Sequence, residues 1–347
     1  MIELLVATCI FLVITGIVAS ALKQITQSQS TVWNRTQMHS GVRGATELLQ
    51  QEVGQAGRFP THTATTDPLT IKTVNPIVGA GTGNCDPQNP GQFLPGPPIV
   101  PAVPTQVTSV QGLYATAGTV PASYVLITTM DGKNRETVPV WAVDNSVNPP
   151  TLTACFNNDH PAGITLLVLG GFANGIIPPA DPPTNFPNGS TGSVLKMFGD
   201  INGDGNIVYV EYTCDTGANS THKLYRNVMD YTSTTKKKLT DALVLLSNVQ
   251  DNPGGTPCFT YQVDGSNPPV VVQGQPVVFV LDVAITLTVE TQQTDPVTGK
   301  KQQETKALLN VSPRNVFNTW QLANGGFTDH IQSTPATVAA LLGMIPS

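Results

Sequence analysis

Residues 1–22 read MIELLVATCIFLVITGIVASAL, with Glu3 the sole charged side chain and Lys23 closing the run. From Leu4 to Leu22 the chain carries no charge. As a helix this stretch spans about 29 Å, close to the hydrocarbon thickness of a bilayer. A secretory signal peptide opens with a basic segment and ends at a small-residue cleavage site. Here the run opens with an acid, so the reading is a retained segment. The helical period continues beyond it through Ile25, Val32, Trp33, Met38, Val42, Ala45, Leu49, Val53 and Ala56. No proline intervenes before Pro60, and Gly54 and Gly57 make a stop. One helix over residues 1–57 would be about 85 Å long, more than a globular body can bury. Its first half is apolar on all sides and its second half along one stripe. The stripe is expected to pack on the chain's own body, and the head among copies of itself or in lipid. Glu3 then needs a positive partner, because a lone carboxylate on an apolar helix is costly. In a stack of translated copies, a neighbour's terminal ammonium supplies one.

Outward from this helix the composition changes. The chain has 347 residues and net charge -6, and charged residues make up 12% of it, against roughly a quarter in an ordinary soluble domain. The surface is therefore built from neutral polar groups, which lets copies lie side by side without repulsion. No basic cluster stands among aromatics, so nucleic-acid binding is not indicated. Lys236-Lys237-Lys238 is the one basic run and reads as a solvated turn. Cys9 sits in the apolar head and reads as a packing residue. Cys85, Cys155, Cys214 and Cys258 lie in the body, and four cysteines in an exported chain suggest two disulfides with three possible connectivities. Pairing in chain order, Cys85 with Cys155 and Cys214 with Cys258, closes the shortest loops.

Met-Ile-Glu-Leu-Leu-Val-Ala at 1–7, with the apolar run and amphipathic continuation behind it, resembles the N-terminus of type IV pilins and of type II secretion pseudopilins. Glu3 matches the family's glutamate, and Ile2 and Leu4 its apolar flanks. The Phe-Thr or Phe-Ser pair that precedes this glutamate in the family is absent. More loosely, VLDVAITLTV at 280–289, KALLNVSPRN at 306–315 and HKLYRN at 222–227 look like strands of the larger minor pilins. The resemblance implies a subunit held in the inner membrane, then extracted into an extracellular helical filament of its own copies and other pilin subunits.

The body reads as strands between loops. Residues 61–106 and 176–191 are rich in proline and glycine and read as loop blocks. Strand patterns cover 106–113, 124–130, 136–142, 164–169, 194–198, 207–212 and 222–228, while 240–249 fits helix or strand. Alternation puts Val277, Phe279, Leu281, Val283, Ile285, Leu287 and Val289 on one face of a long strand. Its partner is Thr305–Val311 across the turn at 295–299. Ser333 or Thr334 is placed to cap a final helix with Val338, Leu341 and Leu342 inward. The expected fold is α+β: a helix over 1–57 packed on a mostly antiparallel β-rich body over 58–347.

Residues 200–211, DINGDGNIVYVE, carry oxygen donors at the spacing of a calcium loop. Asp200, Asn202 and Asp204 fall at positions one, three and five, Gly205 at the sharp turn, Asn206 at the carbonyl position and Glu211 at twelve. Residues 207–212 look like a strand, so Asp200, Asn202, Asp204 and the Asn206 carbonyl form the firmer set. The competing reading is a metal-free turn rich in Asx and glycine. No HExxH, GxSxG or P-loop pattern occurs, and the five histidines are scattered. Asp159-His160 reads as a polar turn. The expectation is a structural subunit rather than an enzyme: a filament protein of pilin type, with a secretion pseudopilus subunit or a membrane-anchored monomeric adhesion module as alternatives.

Overall fold

The computed structural model describes residues 2–60, 126–154, 163–168, 170–265, 269–272, 275–327 and 331–344, with short pieces at 62–63, 84–85, 93–94, 104–107, 110, 156 and 160. Helix α1, Ile2–Gln55, is one unbroken rod of 54 residues, about 81 Å in length. It stops at Gly57, whose φ of +76° is left-handed and suits glycine. The stop is crowded as well: a Cβ on Gly57 would lie 2.9 Å from Val316, and one on Gly175 2.2 Å from the Gly57 Cα. The Gly57 amide donates to the Phe198 carbonyl, and its own carbonyl accepts from Phe172. Three backbones thus meet at the end of the helix.

The body is built on three antiparallel sheets. Strands β1 (Leu126–Thr129), β2 (Thr137–Asp144), β3 (Thr151–Ala154) and β4 (Thr165–Val168) form the first. Its spatial order is His62–Thr63, β4, β1, β2, β3, Pro104–Gln106. Strands β5 (Val194–Gly199), β6 (Val208–Asp215), β7 (Lys223–Asp230) and β8 (Val244–Ser247) form the second, in chain order. The third holds β9 (Val249–Gln250), β10 (Phe259–Val263), β11 (Val280–Glu290) and β12 (Gln303–Val311). Strand β11 pairs with β12 along one edge and with β10 and β9 along the other. Helices α2 (Arg314–Asn324) and α3 (Ala336–Leu342) follow. Most of the loop expected over 61–106, and of the strand expected over 106–113, lies outside the described residues.

The second half of α1 closes the core. Val42, Ala45, Leu49, Val53 and Ala56 recur every three or four residues and pack on Leu195, Val210, Tyr212, Ile285 and Leu287 of the second and third sheets. That spacing is what a helix needs to keep one stripe on a surface. The long strand departs from the simple alternation. Val283, Ile285, Leu287 and Val289 face α1, whereas Val277, Phe279 and Leu281 belong to a separate cluster with Val316 of α2. Register shifts between Val283 and Ile285, and between Gln262 and Val263, interrupt the ladder. A bulge inserts one residue and reverses the side-chain parity beyond it. The last helix does bury Val338, Leu341 and Leu342, but its N-cap is Pro335 and no side chain caps it. Thr334 instead accepts a hydrogen bond from Asn174.

Candidate assembly surface

Among the described residues none of the body covers the first half of α1. Twelve large apolar side chains between Ile2 and Leu22 each keep more than half their surface exposed. Burying one such side chain is worth about 1.5–3 kcal/mol, so the whole face represents a driving force on the order of 20 kcal/mol or more. This segment is long and apolar enough to cross a membrane. Glu3 lies in its first turn, exposed, with no ion pair to any described residue. Cys9 is exposed and free.

Contact with the body begins near residue 31, later than the apolar spacing suggests, since Ile25, Val32 and Trp33 remain exposed. Polar groups make the first contacts. Thr31 donates to Asp295 Oδ1 at 3.3 Å, Arg35 to Gln302 Oε1, and His39 pairs with Glu304. Gln302 in turn donates to Asp295 Oδ2 at 2.5 Å. The Asp295 carboxyl is held below its ordinary value, first by the Val297 amide, with Thr298, Thr31 and Gln302 adding to it against the cost of desolvation. Further along, Glu52 is buried against the second sheet. It accepts hydrogen bonds from Tyr212 at 2.5 Å and from Arg226 Nε at 3.0 Å. These partners lie 160 and 174 residues from Glu52 along the chain, and no local pattern announces them.

The loop at 200–206 lies beside the helix end. The Asp200 amide donates to the Arg58 carbonyl at 2.9 Å, and the Asp200 side chain is buried. Its Oδ1 accepts from the Gly205 amide at 3.3 Å, and Asp204 Oδ1 accepts from the Asn206 amide at 2.9 Å. Asn202, Asp204 and Asn206 are exposed. Glu211 is elsewhere: it is buried in β6, where its Oε2 accepts from Tyr209 at 2.7 Å and from Lys236 at 2.8 Å. Strand alternation explains this. Position twelve falls inside β6, opposite Lys196 of β5 and Asn227 of β7, and cross-strand partners share a face. Among the described residues no three His, Cys, Asp or Glu side chains gather into a metal-holding group.

Two polar side chains read as turn residues are in fact interior. Lys236 is 4% exposed and pairs with Glu211, while Lys237 and Lys238 stay outside. Burial lowers the neighbouring Lys196 ammonium below its ordinary value, with Glu211 opposing. His160 is 1% exposed, its Nδ1 2.9 Å from Asp131 Oδ2 and its Nε2 2.8 Å from Glu136 Oε1. A buried charge must be paired, but the partners come from distant strands and turns, so sequence alone offers no signal. Cys214 and Cys258 form a disulfide between the second and third sheets. The pairing of Cys85 with Cys155 lies outside the described side chains.

Comparison with protein-family models, curated proteins and solved structures gave no match. The class therefore rests on architecture. A long apolar N-terminal helix on an antiparallel β-sheet body is consistent with a pilin-like fold in general and with a membrane-associated assembly subunit.

Proposed function

We propose that this chain is a structural subunit of a type IV pilus-like filament. It is anchored in the inner membrane by the apolar half of α1, then assembles with copies of itself, and with other pilin subunits, into an extracellular helical fibre. The observation that carries this reading is the asymmetry of α1. The same helix is buried along a stripe from Val42 to Ala56 and bare from Ile2 to Leu22. Non-closing, head-to-tail contacts between such rods generate helical polymers, and a lateral bundle of heads buries the bare face.

Glu3 separates this reading from a monomeric anchored module. In a bundle its carboxylate is enclosed by neighbouring heads and needs a positive group from another chain, whereas in a lone anchor it lies at the headgroup level. Electron microscopy of native material is expected to show fibres, and Glu3→Ala to abolish or slow their formation while the circular dichroism of the body is unchanged. Unchanged yields of particles or fibres with Glu3→Ala would overturn the role of Glu3, and absence of any fibre in native material would overturn the filament. A secretion pseudopilus shares the same helix and differs in its partners, which cross-linking in the native envelope identifies.

A further inference from the structure

We propose that the loop 200–206 binds a calcium ion through Asp200, Asn202, Asp204 and the Asn206 main-chain carbonyl, and that Glu211 takes no part. The spacing alone carries little, because Asx- and glycine-rich turns are common. The independent observation is the state of Asp200. Its side chain is 1% exposed, and its Oδ2 accepts no hydrogen bond. Arg58 pairs with it only at long range, Nε 4.0 Å away and beyond hydrogen-bond distance, and its half-exposed guanidinium, which reaches Gly203 of the loop, has to swing outward when an ion enters. A buried carboxylate oxygen without a donor is costly. The other oxygen of the same carboxylate accepts from the Gly205 amide, so the group faces the loop.

The surroundings complete a hard-cation site. Asn202 and Asp204 are exposed on the same short loop, so their side chains are free to turn toward an ion without disturbing the core. Gly203 and Gly205 hold φ of +71° and +86°, which lets the chain fold around a centre. The donors are all oxygen, as calcium requires, and water fills the remaining positions. Magnesium demands a tighter octahedron at fixed short distances, which a loop with only two carboxylates and open sides does not impose. Loss of the twelfth-position glutamate to Lys236 removes a bidentate ligand. The site therefore falls in the weak range of extracellular modules, with Kd of about 10⁻⁴ to 10⁻³ M or somewhat above.

Its place gives the ion a structural role. The Asp200 amide is bonded to the Arg58 carbonyl, and the Gly57 amide to the Phe198 carbonyl. Calcium at this loop braces the point where the helix ends and the chain enters the body. The site stands independently of the filament reading, since it needs only the folded body.

The test uses the full chain in detergent micelles, stripped with EGTA and titrated with calcium chloride or magnesium chloride. Calcium is expected to bind at one site by equilibrium dialysis and to raise Tm by a few degrees at about 10 mM, with magnesium giving less. Asp204→Ala and Asn202→Ala, both at exposed positions, are expected to keep the EGTA-state Tm and to weaken calcium binding tenfold or more. Absence of uptake by the native chain at about 10 mM would overturn the proposal. So would uptake that both variants retain unchanged.

Discussion

The Tyr212 hydroxyl donates to Glu52 Oε2 at 2.5 Å, joining the last turns of α1 to the second sheet. Burial, and then the carboxylate beside it, pushes that hydroxyl well above its ordinary value, so it remains a donor at every physiological pH. Arg226 completes the set, donating from Nε to Glu52 at 3.0 Å. A carboxylate at this depth is tolerated because all three groups satisfy one another. Removing one partner strands the others. Glu52→Gln is expected to cost about 2–3 kcal/mol, below the range for fully buried pairs because Arg226 keeps some exposure. The double variant Glu52→Gln/Arg226→Met should recover part of the loss, since the stranded guanidinium is gone. Denaturant titration of the full chain in micelles measures both. Strictly additive losses would show that the pair is not coupled.

The disulfide between Cys214 and Cys258 fastens β6 to the start of β10, with 44 residues of separation. Closing a loop of that size restricts the unfolded chain by about 4 kcal/mol in the chain-entropy treatment. Both cysteines lie in the core cluster under α1, so Cys214→Ala leaves no polar group stranded. The variant is expected to lose about 2–4 kcal/mol, and reduction of the native chain to lower its Tm. A native chain whose unfolding transition is indifferent to reductant would contradict this.

Much of this architecture was legible in the sequence, and what was not has a common cause. The uncharged run from Leu4 to Leu22 and the stripe from Val42 to Ala56 are local patterns, and they define α1 almost to its last turn. The strands 280–290 and 303–311 also follow from alternation and one turn. The reversal of parity at Val283 does not, because a bulge is set by pairing with β10 and β12 rather than by β11 itself. Helix α2 has only a short signal, Val316, Trp320 and Ala323 at helical spacing, and the strand-like residues before it obscure that. Strand β10 carries a short alternation of its own in Phe259, Tyr261 and Val263. For Lys236, His160 and Glu211 there was no such signal. Each is fixed by a charge from a distant strand or turn, and only the folded chain brings those together.

Acid should loosen the junction between helix and body. The Asp295 carboxyl is held low by the Val297 amide and by further donors that include Thr31 of α1 and Gln302. A carboxyl with a depressed folded value contributes stability above its unfolded pKa and loses it as pH falls through the folded value. The loss therefore lies below about pH 4. His39 with Glu304 and Arg35 with Gln302 flank the same junction. The difference between native chain and Asp295→Asn isolates the Asp295 share. Hydrogen-exchange protection of the 291–302 turn, corrected for the intrinsic exchange rate, is expected to fall in the native chain between about pH 4 and about pH 2 more steeply than in Asp295→Asn. Parallel curves would remove Asp295 from the account.

Leu49 and Phe11 stand on the same helix in opposite circumstances, fully buried and 68% exposed respectively. Leu49 fills a space between the second and third sheets. Leu49→Ala is therefore expected to cost about 2–5 kcal/mol, the sum of lost transfer energy and a residual cavity. In a lone subunit Phe11 touches no core, so Phe11→Ala should leave the denaturation midpoint of the body within about 0.5 kcal/mol of the native chain. Packed among other helices it becomes an interior residue, and the same truncation then costs about 3–5 kcal/mol per subunit. The expected result is a body of unaltered stability and fibres that are fewer, or dissolve at lower denaturant. A Phe11→Ala chain that forms fibres as robust as the native ones would mean that this side of the rod faces solvent in the assembly. The packed face would then lie around Leu5 and Leu12, which stand two turns apart on another side of the rod.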